Sequence, residues 1–208
     1  MLFSLLGLSL DPLTLLITLL FEVGFLLIVL SVHEAAHAFM ANRLGDSTAR
    51  LNGRLTLNPL AHIDPIGGLM ILLVGFGWGK PVPYNPLNLR SPRRDSALIS
   101  FAGPGSNFLM ALLLAVVFRV LSGDGVAGFI LAQLVGLNLA LGIFNLIPIS
   151  PLDGFKVVSG LLPWRMAVDW EQTQRWGIYL LIILLVTPAF NTLVFGPVSF
   201  LSRLLLGV

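Results

Sequence analysis

Two histidines one helical turn apart, with a glutamate directly after the first, are the residues of this chain best suited to chemistry: His33-Glu34-Ala35-Ala36-His37. They lie in Ile28–Ala41, a run without Gly or Pro, so a helix is predicted there. At a spacing of four, both imidazoles leave one face of that helix. Two nitrogens so placed suit a single Zn²⁺ with bonds of about 2 Å. Glu34 is offset around the helix, where it reaches a water beside the metal without ligating. That division of labour, two ligands and a general base, is the one zinc hydrolases use at this spacing. The bland alternative is a chance polar cluster. In a spanning helix it is weak, because each ionisable side chain costs about 3 kcal/mol unless a metal or partner compensates it.

Catalytic zinc ordinarily has three protein ligands. A downstream Gly and His would extend the motif, but Met40 and Arg43 occupy those positions, and Glu171 is the only later glutamate. The best candidate is Asp153, in Asn145-Leu-Ile-Pro-Ile-Ser-Pro-Leu-Asp-Gly154. His62 is the runner-up, in Asn58–Pro65. Each has a plainer reading: Asp153-Gly154 is a common turn pair, and His62 with Asp64 forms another. Asn107 and Asn145 stand in apolar surroundings. Either can donate to a substrate backbone or oxyanion, where one donor is worth about 2.7–4 kcal/mol of barrier. Either can instead join helices, for about 0.6–2 kcal/mol. Its spacing from Asp153 favours the site for Asn145. Asn107 leans to the interhelical role, and Asn138 reads as packing.

The elements that must position these residues are membrane spans. Of 208 residues, 56% are hydrophobic and 11% charged, and the mean hydropathy is +0.93. A soluble domain carries about 25% charged residues, so the class is integral membrane protein and the length suits one domain. A net charge of +2 without a dense basic run gives no reason to expect nucleic acid. The absence of cysteine excludes a disulfide framework and thiolate ligands. No basic residue precedes Arg43, so a cleaved signal peptide is not expected.

Four stretches are long enough to cross a bilayer: about Leu13–Ala41, Ala97–Leu121, Gly125–Ile147, and a fourth from near Trp176 that ends at Val186 or bends at Pro188 toward Leu206. Arg43, Arg50, Arg54, Lys80, Arg90, Arg93 and Arg94 lie between the first two, and Lys156, Arg165 and Arg175 after the third. The positive-inside rule puts those connections in the cytoplasm and the N-terminus outside, so Asp153 returns to the depth of the first helix's cytoplasmic end. Ile66–Trp78 is apolar but too short to span, and its glycines weaken it as a helix. A re-entrant segment or β-hairpin walling a cavity is expected, with an extended edge for an unwound substrate. Trp164, Trp170 and Trp176 read as an interfacial belt. Glu22, three turns before His33, shares its face.

HEAAH closing one span and NLIPISPLDG closing a later one resemble the site-2 protease family of intramembrane zinc metalloproteases. Gly53–Gly67, Gly77–Pro86 and Phe101–Asn107 are similar to it too, so the likeness covers about residues 32–163. It implies one Zn²⁺ per chain held by His33, His37 and Asp153, Glu34 as base, and Asn145 beside the active site. It also implies hydrolysis within or next to transmembrane segments of membrane proteins, in a bacterial or archaeal cell membrane. The form is compact, with no PDZ or CBS segment: one domain over 1–208, a core at about 28–163 and an outer segment at about 176–206. The expected fold is an all-α polytopic membrane protein. Rival readings are a zinc-binding transporter, which inverted repeats would mark, or a non-proteolytic scaffold, which has no use for Glu34.

Overall fold

A computed structural model describes residues 11–74, 77–121 and 123–207. The first helix, α1 (Pro12–Arg43), starts where the Asp11 carboxylate accepts from the Leu13 and Thr14 amides and Pro12 takes the first helical position. Its 32 residues extend about 48 Å, beyond the roughly 30 Å of hydrocarbon in a bilayer. No residue of this helix before Val29 is buried, and the buried stripe of its second half holds His33, Glu34 and His37. A short turn of helix, α2 (Thr48–Leu51), follows, and then α3 (Pro65–Val74). The remaining long helices are α4 (Pro92–Val120) and α5 (Gly125–Asn145). Beyond them come α6 (Asp153–Leu161), α7 (Trp164–Gln172), α8 (Gly177–Val186) and α9 (Gly196–Leu206).

Helices α1, α4 and α5 are long and apolar enough to cross a membrane. A fourth crossing is broken: Trp164–Val186 and Asn191–Leu206 meet at 81°. The break has a local cause. Pro188 cannot continue the ladder and pushes the residue before it out of the helical region, and Thr187 is extended at φ −106°, ψ 159°. The chain is thus all-α and polytopic, as composition and period predict. Trp164 and Trp176 are exposed, as a belt requires. Trp170 is not: it stacks on Phe155 at 5.2 Å and donates to that residue's carbonyl, tying α7 to α6.

Small residues let the central helices approach. Ala111 and Ala115 of α4 pack against Val135 and Leu139 of α5, and Leu206 of α9 closes the cluster. At the far end of α4, Arg119 donates to the Leu204 and Leu205 carbonyls at 2.7 Å each. A cation thereby satisfies two orphan acceptors in the last turn of α9.

The segment between the first two spans corrects one expectation. Residues 65–74 are helical despite Gly67 and Gly68, and among the described residues the only pairing near it is one antiparallel bridge, Ile63 to Gly79. The extended edge expected along residues 66–79 is therefore absent over most of its length. Gly67 serves close approach instead, since a Cβ there would collide with the Trp78 carbonyl. Asp64 starts the helix by accepting from the Ile66 and Gly67 amides.

Asp46 anchors the connection after α1. Fully buried, it accepts from Thr48 Oγ1 (2.6 Å), the Asn85 amide (2.7 Å) and Asn88 Nδ2 (2.7 Å). Burial raises its pKa, but these hydrogen bonds outweigh burial and hold it below the ordinary value. A depressed folded pKa stabilises the fold above the unfolded value of 3.8, and that stability is lost as pH falls through the folded value. Asp46→Ala is expected to cost about 2–4 kcal/mol by orphaning these donors, read as a lower unfolding temperature in detergent. Asp46→Asn should flatten the acid limb of stability.

Candidate metal centre

Three donor atoms from two parts of the chain, α1 and the start of α6, converge beside α4. His33 Nε2 and His37 Nε2 are 3.0 Å apart. Asp153 Oδ2 lies 3.2 Å from each. Asp153 is the first residue of α6, delivered by the turn that ends α5. Tetrahedral zinc with bonds of about 2.0–2.1 Å needs donors about 3.3–3.4 Å apart, so the triangle is close to the size a single ion requires. Among the described residues these three are the one such grouping of His, Cys, Asp or Glu.

The protons give an independent test. His37 Nδ1 faces the Ile99 carbonyl at 2.7 Å. That oxygen only accepts, so Nδ1 carries the hydrogen. His33 Nδ1 faces Asn107 Oδ1 at 2.6 Å, Asn107 Nδ2 donates to Asn138 Oδ1 at 3.0 Å, and Asn138 Nδ2 donates to the Leu134 carbonyl at 2.8 Å. The last acceptor fixes the direction of the whole relay: both amides must point their oxygens toward His33, whose Nδ1 must donate. In their neutral form both rings then present Nε2 lone pairs to each other and to a carboxylate oxygen. Three acceptors at about 3 Å repel unless a cation stands among them, and the second nitrogen of each ring is oriented as metal-ligating imidazoles usually are. The donor set fits Zn²⁺.

Helix α4 comes so near because Gly103 has no side chain. A Cβ there would overlap His37 Nε2 and stand 2.7 Å from His33 Cε1. The helix is also one donor short at Pro104, in the turn after the Ile99 carbonyl that receives His37. Glu34 is buried but outside the donor triangle, and a Cβ on Gly79 would lie 3.5 Å from its Oε1.

Other candidates fall elsewhere. Asn107 sits behind His33, fully buried, with oxygen and nitrogen both engaged; it is part of the orienting relay. Asn138, which reads as packing in the sequence, is its next link. Asn145 is half-buried and donates to the Leu141 carbonyl one turn back (3.0 Å), and among the described residues no hydrogen bond joins it to the triad. His62 spends Nε2 on the Thr56 carbonyl and faces Arg54 with Nδ1, so it is no ligand. Glu22 is half-buried on the outer part of α1. The sequence signal for the relay was the four-residue spacing of Gly103 and Asn107, which places both on one face of α4.

Two open spaces are bordered by residues near the centre in sequence, though not by its donors. A cavity of about 510 Å³ is bounded by Arg93, Ser150, Leu152, Lys156 and Trp164, on the side of the basic connections. An apolar groove of about 380 Å³ runs between α1 and α3, lined by Leu27, Leu30, Leu69 and Trp78.

The chain matches peptidase family M50 over residues 124–188. It is 38% identical over 172 residues to YwhC of Bacillus subtilis, which carries a zinc metalloprotease name, with 78% of each chain covered. Rip2 of Mycobacterium tuberculosis, similarly named, is 31% identical over 191 residues, covering 86% of this chain and 71% of its own. A zinc metalloprotease of Methanocaldococcus jannaschii is 28% identical over 148 residues, 70% of this chain and 36% of its own. No solved structure matches the chain. With a donor set of two buried histidines and a half-buried aspartate among membrane-length helices, and the Bacillus and Mycobacterium relatives this similar over most of their length, the chain belongs to the M50, or site-2 protease, family of zinc metalloproteases.

Proposed function

We propose that the chain hydrolyses peptide bonds within or next to transmembrane segments of membrane proteins, with His33, His37 and Asp153 holding the zinc and Glu34 as general base. The observation that carries the reading is the convergence of three lone-pair donors beside a buried glutamate in a spanning helix. When bound, the zinc supplies a Lewis acid that polarises a carbonyl and makes a neighbouring water acidic near neutral pH. Glu34 takes one proton from the attacking water as its oxygen bonds to the carbonyl carbon. As the carbon–nitrogen bond breaks, Glu34 returns that proton to the leaving amine. Asp153 and the two Nδ1 hydrogen bonds keep the donors in place throughout.

The orientation we favour puts the N-terminus outside and the site toward the cytoplasm. His33 is ten residues, about 15 Å along the helix, from the basic end of α1 at Arg43. In this reading the cavity on that side, bordered by Arg93 and Lys156, is the route for water, and the groove between α1 and α3 is an apolar bed for a substrate helix. Residues 1–208 act as one domain in this reading, with α9 docked on α4 and α5.

The test is detergent-purified protein and a transmembrane peptide. Chelation should abolish cleavage and zinc should restore it at one ion per chain. Zinc retained without cleavage of varied peptides would sink the reading in favour of a transporter or scaffold. A second expectation concerns the relay. Asn107→Ala should weaken zinc binding by about 10–100-fold, read by competition with a chromogenic chelator, with helical content unchanged.

A further inference from the structure

Arg54 is 5% exposed, and nothing in the site described above uses it. Its amide donates to the Ala49 carbonyl at 2.9 Å, which seats it just beyond α2. Its Nη2 donates to the Lys80 carbonyl and stands 3.5 Å from His62 Nδ1. His62 Nε2 donates to the Thr56 carbonyl at 2.8 Å, so Nδ1 presents a lone pair to the guanidinium. The Lys80 amide donates to the His62 carbonyl at 2.8 Å, one residue from the Ile63–Gly79 bridge. His62 precedes α3 and Lys80 follows it. The guanidinium therefore touches both arms of the excursion at its neck.

The neck borders the metal centre. Gly79, the bridge residue next to Lys80, lies against Glu34 and Leu30. Burial lowers the Arg54 pKa and the charge of Glu34 opposes that, so the two side chains are within electrostatic reach. A buried charge is costly, and among the described residues Arg54 Nε is buried without a hydrogen-bond partner. Closing a neck that already has a backbone hydrogen bond does not by itself require a cation. Both contacts, however, come from Nη2, whose two hydrogens lie in the fixed plane of the guanidinium, a geometry that a freely rotating ammonium does not hold.

We propose that Arg54 is a positioning residue for the hydrolysis: by joining Lys80 to His62 it holds the neck of α3 closed and keeps the Gly79 edge of the site fixed against Glu34. This inference rests on the proposed function for its kinetic part only. Misplacement of a reacting edge by about 1 Å can cost about 10²-fold in rate. In the zinc-loaded full chain, Arg54→Gln should lower kcat on a transmembrane peptide by about 10²-fold with zinc content unchanged. Arg54→Lys should recover no more than about a tenth of the lost activity.

The neck has its own readout. The chain has no cysteine, so cysteines placed at exposed Leu60 and Lys80 carry spin labels cleanly. The distance distribution should be narrow in the parent and in Glu34→Gln, and broad in Arg54→Gln. An unchanged distribution, or a kcat within threefold of the parent, would overturn the proposal. So would equal loss of zinc and helical content in both Arg54 variants, which would reduce the residue to a folding role. If the parent cleaves nothing, the proposed function fails while the labels still decide the neck.

Discussion

Glu34→Gln is expected to lower kcat by about 10²–10⁴-fold while zinc content stays near one per chain. The size follows from the ordinary contribution of a positioned general base. The retention of zinc follows from geometry. Glu34 is outside the triangle formed by His33, His37 and Asp153, and its Oε1 faces Gly79. Glutamine keeps the shape and hydrogen-bonding reach of the side chain but cannot accept the proton. Metal analysis and peptide cleavage on the same preparation check both halves. Cleavage that survives the substitution would remove Glu34 from the mechanism, and zinc lost with it would make Glu34 part of the binding set.

Gly103→Ala is expected to have an effect of similar size by a different route. One methyl group at this position enters the space of both imidazoles, overlapping His37 Nε2 and standing 2.7 Å from His33 Cε1. Relief requires α4 to retreat or the rings to turn. Either stretches the Nδ1 hydrogen bonds to Asn107 and Ile99, because those acceptors belong to the same helix. Zinc affinity should fall by at least the about 10–100-fold typical of a lost supporting partner, and cleavage by about 10²-fold more at saturating metal. Gly136→Ala is the matched control. Nothing lies within 4 Å of a Cβ there, so the same change in another spanning helix should leave zinc and activity alone, and raise stability by up to about 1 kcal/mol. Equal behaviour of the two variants would show that Gly103 matters only for helix packing.

Much of the architecture was legible because a bilayer restricts the choices. Spanning segments must be helices of about 20 apolar residues, so α1, α4 and α5 appear in the sequence nearly at their observed bounds. Position 188 marks the bend of the fourth crossing because a proline cannot continue a helical ladder. The α3 segment was misread for an equally physical reason. Gly67 and Gly68 look like helix breakers when only propensity is weighed, whereas close approach to Trp78 is what calls for glycine at 67. Trp170 was misplaced because an aromatic near a charged loop reads as interfacial until its partner, Phe155, is known.

At the metal centre the division is sharper. The HEAAH spacing by itself determined that two imidazoles and a carboxylate share about one turn of a buried helix, because helical periodicity is local. The count of spans between the motif and Asp153 determined that Asp153 returns to the end of the bundle where α1 finishes. Only the tertiary structure decided that Asp153 meets both Nε2 atoms, that Asn107 and Asn138 orient His33 from behind, and that Gly79, next to the Lys80 carbonyl that Arg54 holds, borders Glu34. Those contacts join residues tens of positions apart, and their distances depend on how closely α4 packs on α1, which no local pattern specifies.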